Sequence, residues 1–395
     1  MIHIVIRICQ FVAIAGCVSS SVYYLVCLWS AASFLRERKA GGGARPTPAD
    51  STRALPPVSI LKPLKGTAPD IYESFRSHCL QDYPEYEVIF GVSDPNDPAV
   101  ASVLQLQREF PDRAVHLVVC PNILGANVKV GNLHQLVQTA RYQYLIVNDS
   151  DIRVEPDYLR RVMEPLTNER IGMVTCLYRG VAAPTLGSRL EALGISTDFC
   201  AGALVARQIE GGLRFGLGST LAFRRADLER AGGFKSIVDF LADDYELGQR
   251  IAGLGLQVVL SEVVVETHLP AYNLRSFWAH QQRWSRGVRD SRAGGYIGLV
   301  TTYGLMWALL NVIAAHATLW SWGVLCLVLA QRLAVALAVG KSVLHDAHLL
   351  KQLWLLPLRD LVAVAIWIAS FAGHTVTWRG DRFELKNGRL IRIAP

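Results

Sequence analysis

The eight cysteines of this 395-residue chain include no close pair. That excludes a zinc ribbon, a dithiol redox centre and a dense disulfide framework. Cys9, Cys17 and Cys27 lie in an apolar N-terminal stretch and Cys326 in another, so they read as small buried apolar side chains. The chain also lacks any stripe or tail of like charge. Its formal charge of +7 comes from Lys and Arg spread along the length, which suits membrane-surface and phosphate chemistry and speaks against a nucleic-acid partner. No acidic or basic residue interrupts the stretch from Ile8 to Leu35, and this disfavours a transporter.

What the chain has is apolar length. Half of its residues are apolar and its mean hydropathy is positive, enough for one soluble domain plus several membrane segments. Residues 8–35 are long enough to cross a hydrocarbon core of about 30 Å as a helix, and too long for a signal-peptide core. The stretch ends in Arg36, Arg38 and Lys39 rather than a small-residue cleavage site, which predicts an uncleaved anchor with the following domain in the cytoplasm. Residues 36–57 carry the basic flank and then a Gly, Ala, Pro and Thr-rich linker without periodicity.

From Val58 short β-rich runs alternate with helical stretches: Val58–Leu61, Tyr86–Val92, Val115–Val119 and Tyr144–Val147, then Met173–Tyr178, Thr220–Phe223 and Val258–Val265. This α/β alternation over residues 58–292 predicts a mostly parallel, doubly wound sheet, with chemistry at the carboxyl ends of its strands. Lys62 and Lys65 follow the first run, Asp94 and Asp97 the second, and Asp149 and Asp151 the fourth. Apolar character returns over residues 303–371 in three blocks, Tyr303–His316, Leu319–Val339 and Leu353–Phe371, with Trp307, Trp320, Trp322, Trp354 and Trp367 placed as interfacial anchors. Between the last two blocks, Lys341–Lys351 is polar and suits the cytoplasmic side. Three later crossings would put the tail, residues 372–395, outside; a re-entrant first block would reverse that.

The strongest local signal is Asn148-Asp149-Ser150-Asp151, where a strand runs into two carboxylates one residue apart. Such a pair can hold a hard divalent cation against a diphosphate, but Asp-Ser-Asp is equally a turn and a cap. Asp243 and Asp244 open a helix, where either can simply cap it. His280, Arg283 and Trp284 share one face of an amphipathic helix; they suit a diphosphate and an acceptor pocket, or merely a basic interfacial helix with Trp278.

The order Asp94, Asp149-Ser150-Asp151, Asp244 and then His280-Gln281-Gln282-Arg283-Trp284 resembles the membrane glycosyltransferases with the GT-A fold, and most of all the ceramide glucosyltransferase family, glycosyltransferase family 21. The similarity runs on through Ile60-Leu61-Lys62-Pro63-Leu64-Lys65-Gly66, Gln81-Asp82-Tyr83-Pro84, Asp97-Pro98-Ala99 and Asp151-Ile152-Arg153-Val154. The family has Gln or Arg where this chain has His280. That histidine and Thr175-Cys176-Leu177-Tyr178-Arg179-Gly180 are more similar to a bacterial branch associated with hopanoid glycosylation, for which UDP-N-acetylglucosamine and a polyol hopanoid are the implied substrates. The resemblance therefore leans to a hopanoid acceptor over ceramide with UDP-glucose, and to a bacterial inner membrane. It implies that Asp94 contacts the uridine, Asp149 the ribose or a Mg2+ or Mn2+ ion, and Asp151 that metal. Asp244 becomes the catalytic base of an inverting transfer, His280, Arg283 and Trp284 hold diphosphate and acceptor, and Lys62 or Lys129 pairs with phosphate unless it merely stays in water. On that footing Asp243→Asn should be mild. The alternatives are a processive polysaccharide synthase, for which three C-terminal blocks are few, and a noncatalytic scaffold, which would have lost an acid.

Overall fold

A computed structural model of the chain describes residues 2–42, 55–378 and 380–393. Most of the expected linker, residues 43–54, lies outside the described residues. The apolar N-terminal stretch is one helix, Ile2–Gly42, longer than expected at both ends.

Eight strands form the central sheet: β1 (Val58–Leu64), β2 (Tyr86–Val92), β3 (Ala114–Val119), β4 (Tyr144–Val147), β5 (Ile152–Arg153), β6 (Ile171–Val181), β7 (Leu221–Arg224) and β8 (Gln257–His268). Their order is β3-β2-β1-β4-β7-β6-β8-β5. β1, β2, β3 and β4 run parallel, as do β6 and β8, while β7 lies antiparallel between the two groups. β1 and β2 are buried at every position, as suits strands covered by helices on both faces. The chain leaves β1 toward β2 and β3 and returns to its other side as β4. The order therefore reverses between β1 and β4, and a crevice opens outside their carboxyl ends.

Three helical stretches are long and apolar enough to cross a membrane: His3–Ala40, Leu319–Val343 and Leu349–Ser370. A fourth, Ala293–Thr302 with Gly304–Ala314, is bent by 50° at its break. The long N-terminal helix shows Ile4, Ile8, Phe11, Val18, Val22 and Leu25 outward, as expected of a helix apolar on all sides. All eight cysteines are free; six are buried, but Cys9 and Cys326 face outward from apolar helices. Trp320, Trp322 and Trp354 are exposed, whereas two tryptophans expected at an interface are structural. Trp307 packs its ring over Gly16, where a Cβ would come within 2.2 Å of it, and donates to the Val300 carbonyl at 2.8 Å. Trp367 donates to the Tyr296 carbonyl at 2.9 Å.

The helix Leu356–Ser370 is fastened to the rest of the chain along its length. Arg359 donates to Gln281 at 3.3 Å, Gln282 donates to the Ile366 carbonyl at 3.0 Å, and Tyr296 donates to Ser370 at 2.8 Å. Beyond it β9 (Thr375–Trp378), β10 (Asp381–Lys386) and β11 (Arg389–Arg392) form an antiparallel sheet. The amides of Leu241 and Leu390 donate to the carbonyls of Gly388 and Asp239, at 3.1 and 2.6 Å. Asp290 accepts from the Gly388 amide. These contacts dock the tail on the α/β domain. Arg38 and Arg179 donate to the carbonyls of Val343 and Leu344, at 3.2 and 2.9 Å, which fastens the end of the Leu319–Val343 stretch.

Candidate active site

A cleft of about 470 Å³ lies at the carboxyl ends of β1 and β4. Lys65, Asp149, Asp151, Asp243 and Asp244 line one side; Tyr178, Phe199, Tyr272, His280, Arg283 and Trp284 line the other, with Trp378 and Phe383 of the tail closing over them. The structure thus brings together Lys129, Asp149, Asp151, Asp244, His280, Arg283 and Trp284 from positions far apart in sequence.

Two of the proposed donor residues stand elsewhere. Lys62 does not line the cleft, because β1 continues three residues past Leu61 and turns this side chain into the body. It is fully buried, 3.5 Å from His78 Nε2, and donates to the Asp149 carbonyl at 3.0 Å. Burial pushes its ammonium down to about 7 against the pull of Asp151 and Asp149. Lys62 therefore props the backbone of Asp149 from below; Lys65, the residue after the strand, faces the cleft. Asp94 is exposed beyond the end of β2, where it accepts from the Asn96 amide at 2.8 Å, and is not part of the cleft wall.

Lys129 stands partly exposed and ion-paired in the cleft rather than in open water. Its ammonium lies 2.8 Å from Asp149 and 3.1 Å from Asp243. Burial alone would lower its pKa, but Asp149, Asp243 and Asp244 together raise it. The lysine is aimed by its helix, Val128–Thr139, whose N-cap Asn127 accepts from the Val130 amide and donates to the Phe240 carbonyl at 2.8 Å. Asp243 and Asp244 open the helix Asp243–Gly253, and neither caps it: the N-cap is Ala242 with no side-chain bond. Asp244 accepts from the Tyr245 amide at 2.7 Å, and its carbonyl accepts from Gly216 at 3.2 Å. A Cβ on Gly218 would stand 3.1 Å from Asp244 Oδ2 and 3.3 Å from Asp149 Oδ2, so both carboxylates close on one bare backbone position. Burial, then repulsion from Asp243, pushes the Asp244 carboxyl up to about 6, against the attraction of Lys129.

Asp151 accepts from Thr267 at 2.6 Å. Burial and the neighbouring Asp149 raise its pKa. Two carboxylates that disfavour each other's charge suit a hard divalent cation. Among the described residues no group of three or more His, Cys, Asp or Glu could hold a metal ion. The remaining ligands would then be phosphate oxygens and water, an ordinary arrangement for Mg2+.

On the opposite wall the His280 ring stacks on Tyr272 at 5.2 Å and lies 5.4 Å from Trp284, which also meets Phe199. The Arg283 guanidinium sits 5.8 Å from the centre of the Trp378 ring, a contact worth about 0.5–2 kcal/mol. Sequence reasoning missed Asp243 as an ion-pair partner, Glu191 under His280, and the tail residues. The buried alternation of Phe383 and Leu385 in β10 was a period-two signal that could have revealed the tail sheet.

The sheet order, with acids at its reversal point and an aromatic wall opposite, defines a glycosyltransferase of the GT-A type. A mannosyltransferase from Pyrobaculum calidifontis, solved with GDP-Man and Mn2+, shares this fold at a TM-score of 0.54 and 21% identity, over 92% of this chain and 99% of that one. Residues 12–391 match the model of Glycosyl transferase family 21; the chain belongs to that family and is a hexosyltransferase. It is 23% identical to ceramide glucosyltransferase 1 of Caenorhabditis elegans over 98% of its own length and 82% of that protein's. Ceramide glucosyltransferase 3 of the same organism is also 23% identical, over 86% and 74%.

Asp243→Asn, mild as its effect on turnover is expected to be, should cost stability. It leaves Lys129 with one partner, and thermal unfolding of the purified protein should show a loss of about 1–3 kcal/mol; a melting temperature within a degree of wild type would refute the structural role of the pair.

Proposed function

We propose that this enzyme transfers a hexose from a UDP-sugar to a hydroxyl of a membrane lipid, with inversion, and that Asp244 is the base. The observation that carries this is the pairing of Asp244 with Asp149 across Gly218, which sets a carboxylate of raised pKa beside the acids suited to a metal-bound diphosphate. An acceptor hydroxyl is a weak nucleophile at neutral pH, and a carboxylate within reach must take its proton as the sugar–phosphate bond breaks. Asp244 is poised for this: its carboxylate starts a helix, whose dipole favours the charged form, and burial holds its pKa near the working range. Asp149 and Asp151 would hold Mg2+ or Mn2+, which when bound neutralises charge on the departing diphosphate. Asp94 is assigned to the uridine on resemblance alone. Arg283 faces the diphosphate, and Trp284, Phe199 and Tyr178 form the apolar side along which a lipid enters.

The N-terminal helix crosses the membrane, the bent pair and the Leu319–Val343 stretch form a hairpin back, and the helix Leu356–Ser370 lies along the interface. Catalytic domain and tail then share the cytoplasm, in a bacterial inner membrane. Cysteines introduced at exposed Asp112 and Lys386, in a variant whose native cysteines are replaced, should both resist an impermeant label applied from outside and react after lysis. Labelling of either in intact cells would reverse the topology.

The acceptor leans to a polyol hopanoid with UDP-N-acetylglucosamine, on His280 and the Thr175–Gly180 run; ceramide with UDP-glucose is the second reading, favoured by the relatives' names. Mass spectrometry of lipids from cells with and without the gene should show loss of an N-acetylhexosaminyl hopanoid. Loss of a hexosylceramide would select the second reading, and an unchanged glycolipid profile would refute both.

In a purified assay, Asp244→Asn should still bind UDP-sugar and lose about two to four orders of magnitude in turnover. In wild type, kcat/KM should fall as pH drops below about 6, because protonation of Asp244 removes the base; that limb should vanish in the variant. Excess EDTA should abolish turnover in wild type. Turnover of Asp244→Asn within a few-fold of wild type, or an α-linked product from an α-linked donor, would remove Asp244 from the mechanism.

A further inference from the structure

Glu191, on the helix Leu186–Gly194, is 1% exposed at the floor of the cleft. A carboxylate so far from water is costly unless its oxygens are partnered. One oxygen accepts from Gln281 Nε2 at 2.7 Å. The other lies 3.3 Å from Nδ1 of His280, whose ring is held on its faces by Tyr272 and Trp284. Gln281 in turn accepts, through Oε1, from Arg359 at 3.3 Å. Arg359 is itself buried against Gly194, where a Cβ would come within 2.4 Å of the guanidinium.

The direction of this relay is fixed by its ends. A guanidinium only donates, so Gln281 must turn its carbonyl oxygen to Arg359 and its amide to Glu191. The Glu191 carboxylate is not aligned for a hydrogen bond to Nδ1, but its charge 3.3 Å away favours the His280 tautomer with the proton on that nitrogen. In the neutral ring Nε2 is then an acceptor. Resting on the proposed lipid acceptor, we propose that Glu191 is a positioning residue: it fixes the His280 tautomer so that Nε2 accepts a hydrogen bond from a hydroxyl of the bound lipid. The relay reaches through Arg359 to the helix Leu356–Ser370, so this helix helps set the chemistry of the cleft from behind.

The test uses the full-length purified enzyme with UDP-sugar and its lipid acceptor, and compares Glu191→Gln, His280→Gln and the double variant. In Glu191→Gln the new carbonyl must face Gln281, so the new amide faces Nδ1 and drives the proton to Nε2. The KM for lipid should rise about tenfold, while the KM for UDP-sugar and slow donor hydrolysis without lipid stay as in wild type. The double variant should be no worse than the poorer single one. Gln281→Met breaks the relay while leaving both ends; it should raise the lipid KM severalfold, and it carries the test if Glu191→Gln does not fold. A lipid KM within twofold of wild type in folded Glu191→Gln, an equal rise in donor KM, or multiplicative losses in the double variant would overturn the inference. Wild type that hydrolyses UDP-sugar but never glycosylates lipid would overturn the functional reading, and this inference with it.

Discussion

Everything in the cleft depends on one ammonium group shared between two carboxylates. Lys129 joins Asp149, at the end of β4, to Asp243, at the start of the next catalytic helix. Asp149, Asp151, Asp243 and Asp244 crowd one crevice, where like charges repel and a cation among them offsets the repulsion. The lysine is that cation. It pairs with Asp149 and Asp243, and leaves Asp244 next to Asp243 with a raised pKa. The proposed base and a charge-bearing floor thus arise from similar side chains in different surroundings.

The second constraint is mechanical. Gly216 and Gly248 let backbone approach backbone where the helix Asp243–Gly253 meets the loop before β7; a Cβ on Gly248 would come within 2.2 Å of the Gly216 nitrogen. Such contact leaves little freedom to the first turn of that helix, and hence to Asp244. The opposite wall is held by different means: aromatic rings around His280, and the Arg359 side chain and Ile366 carbonyl of the helix Leu356–Ser370 bonded to the His280 helix. One wall is rigid through close backbone packing, the other through polar contacts with an apolar helix.

Much of this was legible in the sequence. β2 and β4 lie where their apolar runs place them, because a strand buried on both faces is written mostly in apolar residues. The acids after β4 and before the helix Asp243–Gly253, and the His280–Trp284 segment, do meet in one cleft. The failures share a cause. Lys62 was assigned to the cleft because the strand's end was placed three residues early, and a polar residue inside a strand cannot be told from one just beyond it. Glu191 gave no signal, since its role depends on a residue 89 positions later. The two carboxylates of Asp243-Asp244 look alike in sequence; only Lys129 tells them apart.

The tail sheet carries a consequence for how the enzyme comes into being. Trp378, Asp381 and Phe383 complete the cleft, yet the apolar segments between residues 293 and 371 precede them in the chain. A ribosome must deliver those segments before the final wall can fold back onto Leu241 and Asp239. A nascent chain that has made every acid of the site is still an open half-cleft, so on the proposed membrane topology the cleft closes only after the apolar segments have been placed.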